Sequence, residues 1–514
     1  MRRVFTMPFE SDRCRIVGRD EIEPKTHWAS IYIAAALSFV GAVQFSLYFS
    51  ALWPYMKKID PGISEGFFGL TVALYSLGQV ISAPAFGAWS NRIKQVKKPL
   101  TLGLFLMFVG NLIYIFMEIL PFQRRYILLI CRFVVGMGSG NVALLRSYAA
   151  TASHKSDRSR AIAFVTCGQA VGMTLGPAFQ LFFTPFPYPG ISIFGLFHLN
   201  LYTLPAYLAC TINVIGVVTL YKIFEENYCD IVEEEKPDEE EGLSSQNRIQ
   251  NLLPAYDMLA VLICYFTRFI DMFSRTTMET LGSPYSMMMF ALDSHRAVKF
   301  VSIAQGLVGA TTLLTYLAYI FGNLEQYIPM RAGCITSIVF IFIFYFITYA
   351  WPFLPNYVEK FSYNNTPNAL PVGCDMDRFD WCDNLTAVNM WVFYGSYVIL
   401  IGIAFPVITI TLNVLFSRIL GPRRQGTEQG IFQASSAAAR MIGPIGNTML
   451  YTYEGPRAVW ILEMVVIAAS LLCWFGFYNR MVDLKIPPPE ERPQRTEAFG
   501  FHNPQCVETD EDEI

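Results

Sequence analysis

The stretch that decides the fold is residues 335–346, ITSIVFIFIFYF, a nearly unbroken apolar run. Transmembrane barrel strands are about ten residues long and alternate in polarity, so this run excludes a barrel. With its flanks it covers residues 331–350, and about 20 apolar residues are the length of a helix that crosses a bilayer. The stretch therefore predicts one membrane-spanning helix.

The composition of the whole chain agrees with a membrane protein. Of 514 residues, 53% are hydrophobic and only 15% are charged, whereas a soluble domain carries about 25% charged residues. The mean hydropathy is +0.37. The net charge of -3 comes without a basic, aromatic-rich stretch, so nucleic-acid binding is not expected.

Similar apolar runs recur along the chain and predict twelve transmembrane helices, an all-α membrane protein in two six-helix halves. The predicted spans, with boundaries good to about three residues, are 30–55, 66–88, 100–120, 126–150, 161–183, 200–223, 256–280, 297–321, 331–350, 388–412, 427–450 and 457–479. Gly176-Pro177 and Gly443-Pro444 lie in the fifth helix of each half. This echo favours an internal duplication.

The positive charge predicts the orientation. Most of the 38 Lys and Arg residues fall in the two tails and in the loops on one side, which places both termini in the cytoplasm. The predicted organisation is a cytoplasmic tail (1–28), an N-terminal half (29–224), an acidic cytoplasmic linker (225–252), a C-terminal half (253–480) and a cytoplasmic tail (481–514). The linker and the second tail have the composition of disordered segments.

The loop 351–387 is the one long connection predicted on the opposite, lumenal side. It holds glycosylation sequons at Asn364 and Asn384. It also holds Cys374 and Cys382, which are predicted to lie outside the bilayer on the oxidising side. We expect a Cys374–Cys382 disulfide. The alternative is a pair of free thiols. A metal site is not expected, because no His accompanies the two cysteines.

Helix 7 carries four charged residues at membrane depth, where charge is costly unless it is paired or faces a cavity. Arg268, Asp271, Arg275 and Glu279 fall within an arc of roughly 80°. One interpretation is self-neutralisation, with Asp271 paired to Arg275 and Arg275 to Glu279. The other is a stripe that lines a substrate or ion pathway.

Three more arginines lie within predicted spans: Arg132 and Arg146 in helix 4, and Arg440 in helix 11. Arginine keeps its proton and needs an anionic or polar partner, so these residues predict a central cavity for an anion. For proton coupling, Asp271, Glu279 and Glu463 are the candidate carriers. The chain has no phosphate loop, nucleophile elbow or metal-ligand cluster, so no enzyme activity, cofactor or metal is expected.

Several motifs resemble those of the major facilitator superfamily at matching helix numbers. In helix 4 the motif is Arg132-x-x-x-Gly136-x-Gly138-x-Gly140, and in helix 5 it is Gly172-x-x-x-Gly176-Pro177. Between helices 2 and 3, residues 87–98 resemble the gating loop of the superfamily, from Gly87 through Asn91 and Arg92 to the lysines. The superfamily pattern has Asp where this chain has Asn91.

A closer resemblance, over roughly residues 26–480, is to a lysosomal branch of the superfamily associated with late-infantile neuronal ceroid lipofuscinosis. The matching stretches are Trp53-Pro54-Tyr55, Tyr75-Ser76-Leu77-Gly78-Gln79, Gly140-Asn141-Val142-Ala143, Ala439-Arg440-Met441-Ile442-Gly443-Pro444 and Gly455-Pro456-Arg457. It implies a multi-pass protein of the late endosomal and lysosomal membrane. Chloride conductance and export of small organic solutes have both been proposed for this branch. The segment Tyr228–Ile231 fits a short clathrin-adaptor signal.

These features together predict a transporter that moves a small anionic solute by alternating access. Its predicted partners are that small molecule or ion, the lipid bilayer and clathrin adaptors. The expected site consists of Arg146, Arg268, Asp271, Arg275, Glu279 and Arg440. Gly87, Asn91, Arg92 and the glycine and Gly-Pro motifs are expected to shape the gates. The alternatives are a chloride-selective channel on the same fold and a scaffold or receptor that transports nothing.

Overall fold

The helices are long because their sequences are almost wholly apolar. A computed structural model describes residues 26–60, 65–119, 123–154, 156–183, 185–186, 189–193, 197–229, 254–322, 324, 327–362, 373–377 and 379–484. Asn364, the tails before Thr26 and after Leu484, and most of the acidic linker lie outside these residues. Nine of the described helices, with Gly426–Gly476 counted once, are long and apolar enough to cross a membrane.

Six helical segments form the N-terminal half. They are α1 (Trp28–Ile59), α2 (Glu65–Ile93), α3 (Lys97–Ile115), α4 (Arg124–Thr151), α5 (Arg158–Leu181) and α6 (Leu204–Lys222). Helix α4 is interrupted between Ser139 and Val142. A short antiparallel hairpin, β1 (Ile191–Ile193) with β2 (Phe197–Leu199), precedes α6.

The C-terminal half repeats this order. It contains α7 (Met258–Met289), α8 (Ser294–Phe321), α9 (Met330–Ile347) and α10 (Met390–Leu420), the last with a π-helical turn at Tyr397–Ile401. The final helix, Gly426–Gly476, breaks at Gly455, so we call its two parts α11 and α12. The order of the helices matches the twelve predicted spans.

Side-chain caps fix where three helices of this half begin. Asp257 accepts the backbone N–H groups of Leu259 and Ala260 at the start of α7. Asp293 caps α8 in the same way, and Asn389 caps α10. Such caps satisfy N–H groups that have no partner within the helix, so these short polar residues separate one apolar span from the next.

The packing of the helices is similar in the two halves. In the first half α1 packs along α5, and in the second α7 packs along the Gly426–Gly476 helix. A Cβ atom on Gly172 of α5 would lie 2.3 Å from the Phe39 carbonyl oxygen of α1. One on Gly443 of α11 would lie 2.5 Å from the Thr276 hydroxyl of α7. The fifth helix of each half therefore uses a glycine to approach the first.

The halves meet where α2 packs against the Gly426–Gly476 helix and α5 against α8. Most of the buried apolar side chains of both halves form one large cluster. A second cluster lies within the N-terminal half and includes Tyr48, Tyr55 and Tyr114.

The described part of the predicted lumenal loop packs onto the break between α11 and α12. Cys374 and Cys382 form a disulfide, and strand β3 (Lys360–Phe361) pairs with β4 (Cys374–Asp375). Trp381 lies directly over Gly455, and its indole N–H donates to the Thr452 carbonyl oxygen at 3.3 Å. In this loop Asn384 is exposed, as a glycan acceptor must be.

Gly455 is the position where this break requires glycine. Its φ is 82° and its ψ is -178°, a region that side-chain-bearing residues rarely adopt. A Cβ atom there would also lie 2.7 Å from the indole of Trp381.

We therefore expect Gly455→Ala to destabilise the protein by about 1–3 kcal/mol from backbone strain. The measurement is thermal unfolding of the purified protein in detergent. Gly446→Ala is the matched control, because no atom lies within 4 Å of a Cβ atom at that position of α11. Equal melting temperatures for the two variants would contradict this account of the break.

Candidate transport site and gate

The two halves touch through bare backbone at the end of α2. A Cβ atom on Gly87 would lie 2.0 Å from the Gly426 carbonyl oxygen, and one on Gly430 would lie 2.4 Å from the Ala83 carbonyl oxygen. No side chain larger than hydrogen fits either position without moving a helix. This contact lies on the predicted cytoplasmic side, and it closes that side of the molecule.

Asn91 completes the contact without a charge. Its side-chain oxygen accepts the backbone N–H of Gly426 at 3.0 Å, at the start of α11. Its amide group donates to the Thr427 hydroxyl at 2.9 Å. A carboxylate could accept the first hydrogen bond but not donate the second. Asn91 thus caps α11 through a neutral amide. This role was not predicted from the presence of Asn where the superfamily pattern has Asp.

Two further groups join the halves beside Asn91. Arg424 donates to the Lys94 carbonyl oxygen at 2.9 Å, and its guanidinium lies 4.8 Å from the ring of Tyr228. The Tyr228 hydroxyl donates to Glu226 at 3.2 Å, and Glu226 accepts the backbone N–H groups of Val96 and Lys97. Burial raises the pKa of Tyr228. Arg92, by contrast, is exposed.

Only part of the candidate adaptor signal can be described. Tyr228 is half-buried by the contacts above, whereas Asp230 and Ile231 lie outside the described residues. The clathrin-adaptor signal therefore stays a prediction.

We expect Gly87→Ala to weaken the closed gate, because the new methyl group would overlap the Gly426 carbonyl oxygen. Single cysteines placed at Ser76 and Ser139, both buried, would then react faster with a small hydrophilic thiol reagent added from the cytoplasmic side. Gly69→Ala in the same helix is the control, since a Cβ atom there meets nothing within 4 Å. Unchanged labelling in Gly87→Ala would be evidence against this gate.

The motif glycines of helices 4 and 5 serve helix packing. A Cβ atom on Gly136 would lie 2.1 Å from the Tyr75 carbonyl oxygen of α2, and one on Gly140 would lie 2.2 Å from the Ser82 hydroxyl. A Cβ atom on Gly176 would lie 1.8 Å from the Ser46 hydroxyl of α1. Pro177 and Pro444 lie inside α5 and α11.

Asp271 neutralises part of the charge of α7 by bridging two arginines. One of its oxygens is 3.0 Å from Arg268 and the other is 3.0 Å from Arg275. Arg275 also donates to the Phe405 carbonyl oxygen and to the Thr409 hydroxyl, both at 2.9 Å. Its guanidinium lies 4.0 Å from the Phe405 ring. The three side chains form a tied cluster with one net positive charge.

Glu279 does not join this cluster. The sequence suggested an Arg275–Glu279 pair, but no such ion pair forms among the residues described here. Glu279 is exposed within the structure, and the charges of Arg440 and Arg275 act on it from a distance. It is therefore available to water or to a solute, unlike the clamped Asp271.

Arg132, Arg146 and Arg440 have no carboxylate at salt-bridge distance within the described ranges. Arg146 is 2% exposed and donates to the Gln169 side-chain oxygen at 2.9 Å. Arg132 lies between two rings, with its guanidinium 5.1 Å from Tyr48 and 5.4 Å from Tyr75. These aromatic faces attract a cation, but they do not cancel its charge.

Arg440 lies beside a cavity at the interface of the halves. Its guanidinium is 4.9 Å from the Phe45 ring, and it donates to the Met272 sulfur at 3.6 Å. The cavity is lined among others by Phe45, Tyr75, Gln79, Asn141, Gln169 and Arg440. Gln79 and Gln169 were not predicted. Both are uncharged polar residues within predicted spans. The charge pattern of the sequence does not distinguish such residues.

Glu463 of α12 forms a separate polar cluster behind α7. It is fully buried, accepts from the Ser274 hydroxyl at 2.7 Å and contacts the Thr277 hydroxyl. The Thr277 hydroxyl lies within donating distance of both Glu463 and the Phe273 carbonyl oxygen, the latter at 3.0 Å, and it accepts from Asn447. A proton on the Glu463 carboxyl group lets the hydroxyl donate to the carbonyl and still keep both contacts.

The surroundings of Glu463 favour the same neutral form. Within the described residues no cation lies at salt-bridge distance from it, and an unpaired buried carboxylate is strongly unfavourable. Glu463 therefore fits a protonated carboxyl group that ties α12 to α7.

A neutral Glu463 predicts that Glu463→Gln changes thermal stability little at neutral pH, because the amide keeps the shape and a donor. Glu463→Ala should cost about 1–3 kcal/mol or more, since buried hydroxyls lose their partner. The measurement is thermal unfolding in detergent, with the exposed Glu454→Ala as control. A Gln variant as unstable as the Ala variant would mean that the group is charged.

No group of three or more His, Cys, Asp or Glu side chains that could hold a metal ion occurs in the described ranges.

Twelve helices in two similar halves, around a charged cavity that is closed on one side by backbone contact, define a membrane transporter of small solutes. The chain belongs to the major facilitator superfamily, whose model matches residues 34–361 and 382–504. This family consists of multi-pass transporters of small molecules, and it confirms the predicted fold and class and excludes an enzyme.

Individual relatives agree. The chain is 28% identical over 483 residues to major facilitator superfamily domain-containing protein 8 of Xenopus laevis, covering 89% of this chain and 92% of that one. Among solved structures, the human organic anion transporter MFSD10 superposes with a TM-score of 0.59, at 15% identity over 87% of this chain and 99% of that one. The E. coli fucose:proton symporter gives 0.61, at 12% identity over 89% and 100%.

Proposed function

We propose that the protein carries a small anionic solute across the late endosomal or lysosomal membrane by alternating access, with both termini in the cytoplasm. The observation that carries the proposal is the uncompensated positive charge near the centre. Among the residues that the structure describes, Arg146 and Arg440 are buried without a carboxylate partner, and the Arg268–Asp271–Arg275 cluster adds one more positive charge.

Buried positive charge of this kind selects for an anion by elementary electrostatics. An arginine removed from water needs acceptors, and a solute with a negative group supplies them in a fixed geometry. Glu279 stands near this charge without an ion pair among the described residues. It is suited to carry a proton.

The gate supports a carrier more than a channel. A channel needs a continuous path, whereas here α2 and α11 meet backbone to backbone on the predicted cytoplasmic side. Movement of one half against the other would open that side and close the opposite one. The neighbouring transporter of organic anions shows that this fold accommodates such a cargo.

The lysosomal location rests on the sequence resemblance to the lysosomal branch and on the similarity to domain-containing protein 8 over most of both chains. The exposed Asn384, in the loop that we assign to the lumen, is consistent with glycosylation there.

The test is untargeted metabolite profiling of purified lysosomes that lack the protein. We expect a specific anion to accumulate, and wild-type protein to clear it. Arg440→Ala should lower clearance about tenfold or more, because loss of a buried charged contact costs at least 2 kcal/mol. Glu279→Gln should also lower it. The exposed Arg296→Ala is the control.

Normal clearance by both Arg440→Ala and Glu279→Gln, at equal lysosomal abundance, would refute the site. Patch clamp of the same lysosomes separates a carrier from a channel. A large ohmic chloride current that depends on the protein would replace the carrier by the chloride channel. The absence of any accumulated solute and of any current would favour a scaffold.

A further inference from the structure

The cavity beside Arg440 contains a buried acceptor that no protein group satisfies. The side-chain oxygen of Gln79 lacks a hydrogen-bond partner among the described residues, although Gln79 is only 4% exposed. Its amide nitrogen faces the Ser139 carbonyl oxygen at 3.4 Å. That neighbour fixes the orientation of the amide, since the reverse would bring two oxygens together. A buried acceptor left without a partner costs about 1–3 kcal/mol.

The same cavity contains donors that are nearly unused. Arg440 has five N–H donors, and its one hydrogen bond within the described part of the chain goes to the Met272 sulfur, a weak acceptor. Gln169 uses its oxygen to accept from Arg146, which leaves its NH₂ group as a further donor. The cavity thus offers several donors around one fixed positive charge, and the Gln79 oxygen is an acceptor that lacks a partner among the described residues.

The remaining wall of the cavity is partly apolar. Phe45 and Tyr75 lie with ring centroids 4.9 Å apart, and Met107 and Met173 line the cavity with them. A chloride ion could not donate a hydrogen bond to Gln79.

We propose that this cavity binds an organic anion of one negative charge that also carries a hydroxyl or other hydrogen-bond donor. The negative group binds Arg440, the donor binds the Gln79 oxygen, and the carbon skeleton lies against Phe45 and Tyr75. This assignment rests on the proposed transport of an anion and narrows its chemical class. Simple halides and unsubstituted carboxylates are poor ligands because they leave Gln79 unpaired.

The test measures binding to the purified full-length protein in nanodiscs with four probes. Gluconate has the anion and the hydroxyls, hexanoate has the anion alone, glucose has the hydroxyls alone, and chloride has neither skeleton nor donor. We expect gluconate to bind at least about tenfold more tightly than each of the others, because a site built around a hydroxyl rejects analogues that lack it.

Three variants locate the effect. Gln79→Leu should reduce the preference for gluconate over hexanoate to about threefold or less, because the acceptor is gone. Arg440→Gln should weaken both anions. Gln305→Leu should change neither, since Gln305 is exposed and lines a different cavity, beside Phe393 and Tyr394.

Each outcome decides a separate question. Equal binding of gluconate and hexanoate, or a preference unaffected by Gln79→Leu, would overturn the inference. Uptake of the same probes into proteoliposomes tests the proposed function independently. Preference for gluconate without uptake would keep this site and reject transport, whereas anion uptake without the preference would keep transport and reject this site.

Discussion

The contact on which the rest of the structure depends is the approach of α2 to α11 at Gly87 and Gly426. With a Cβ atom at Gly87 the helices could not come this close. The approach brings Asn91 to the start of α11, where its oxygen accepts the Gly426 N–H. It also joins the two halves at one end of the space between them. Both the gate and the site therefore depend on this close approach of the two backbones.

A neutral residue at the gate has a mechanical consequence. A carboxylate in place of Asn91 would interact with the helix dipole and with nearby arginines over several ångströms, and such attraction decays slowly as the helices part. The amide hydrogen bonds of Asn91 act only at contact distance. This gate therefore releases within a small separation. Its strength depends on the fit of the glycines rather than on charge, so salt should affect it little.

How well a feature can be predicted from the sequence depends on how far apart in the chain its interacting residues lie. The spans were predictable because hydropathy is a local property, and the Asp271–Arg275 pair followed from the spacing within one helix. The Arg275–Glu279 pair had the same spacing but did not form, because Arg275 turns to Phe405 and Thr409 of α10. The roles of Asn91 and Gln79 depend on residues far away in the chain, and spacing carries no information about them.

The two buried carboxyl groups of the C-terminal half illustrate how context separates identical chemistry. Asp271 lies between two guanidinium groups and forms an ion pair with each of them. Glu463, one helix further from the cavity, has hydroxyls instead of cations and fits the neutral form. Positive charge is therefore reduced to one net charge at α7 and is not compensated at Arg440 within the described residues, and a bound anion would supply the missing balance. Binding would also satisfy buried donors of Arg440 and the free oxygen of Gln79. These interactions would stabilise the closed form of the occupied cavity.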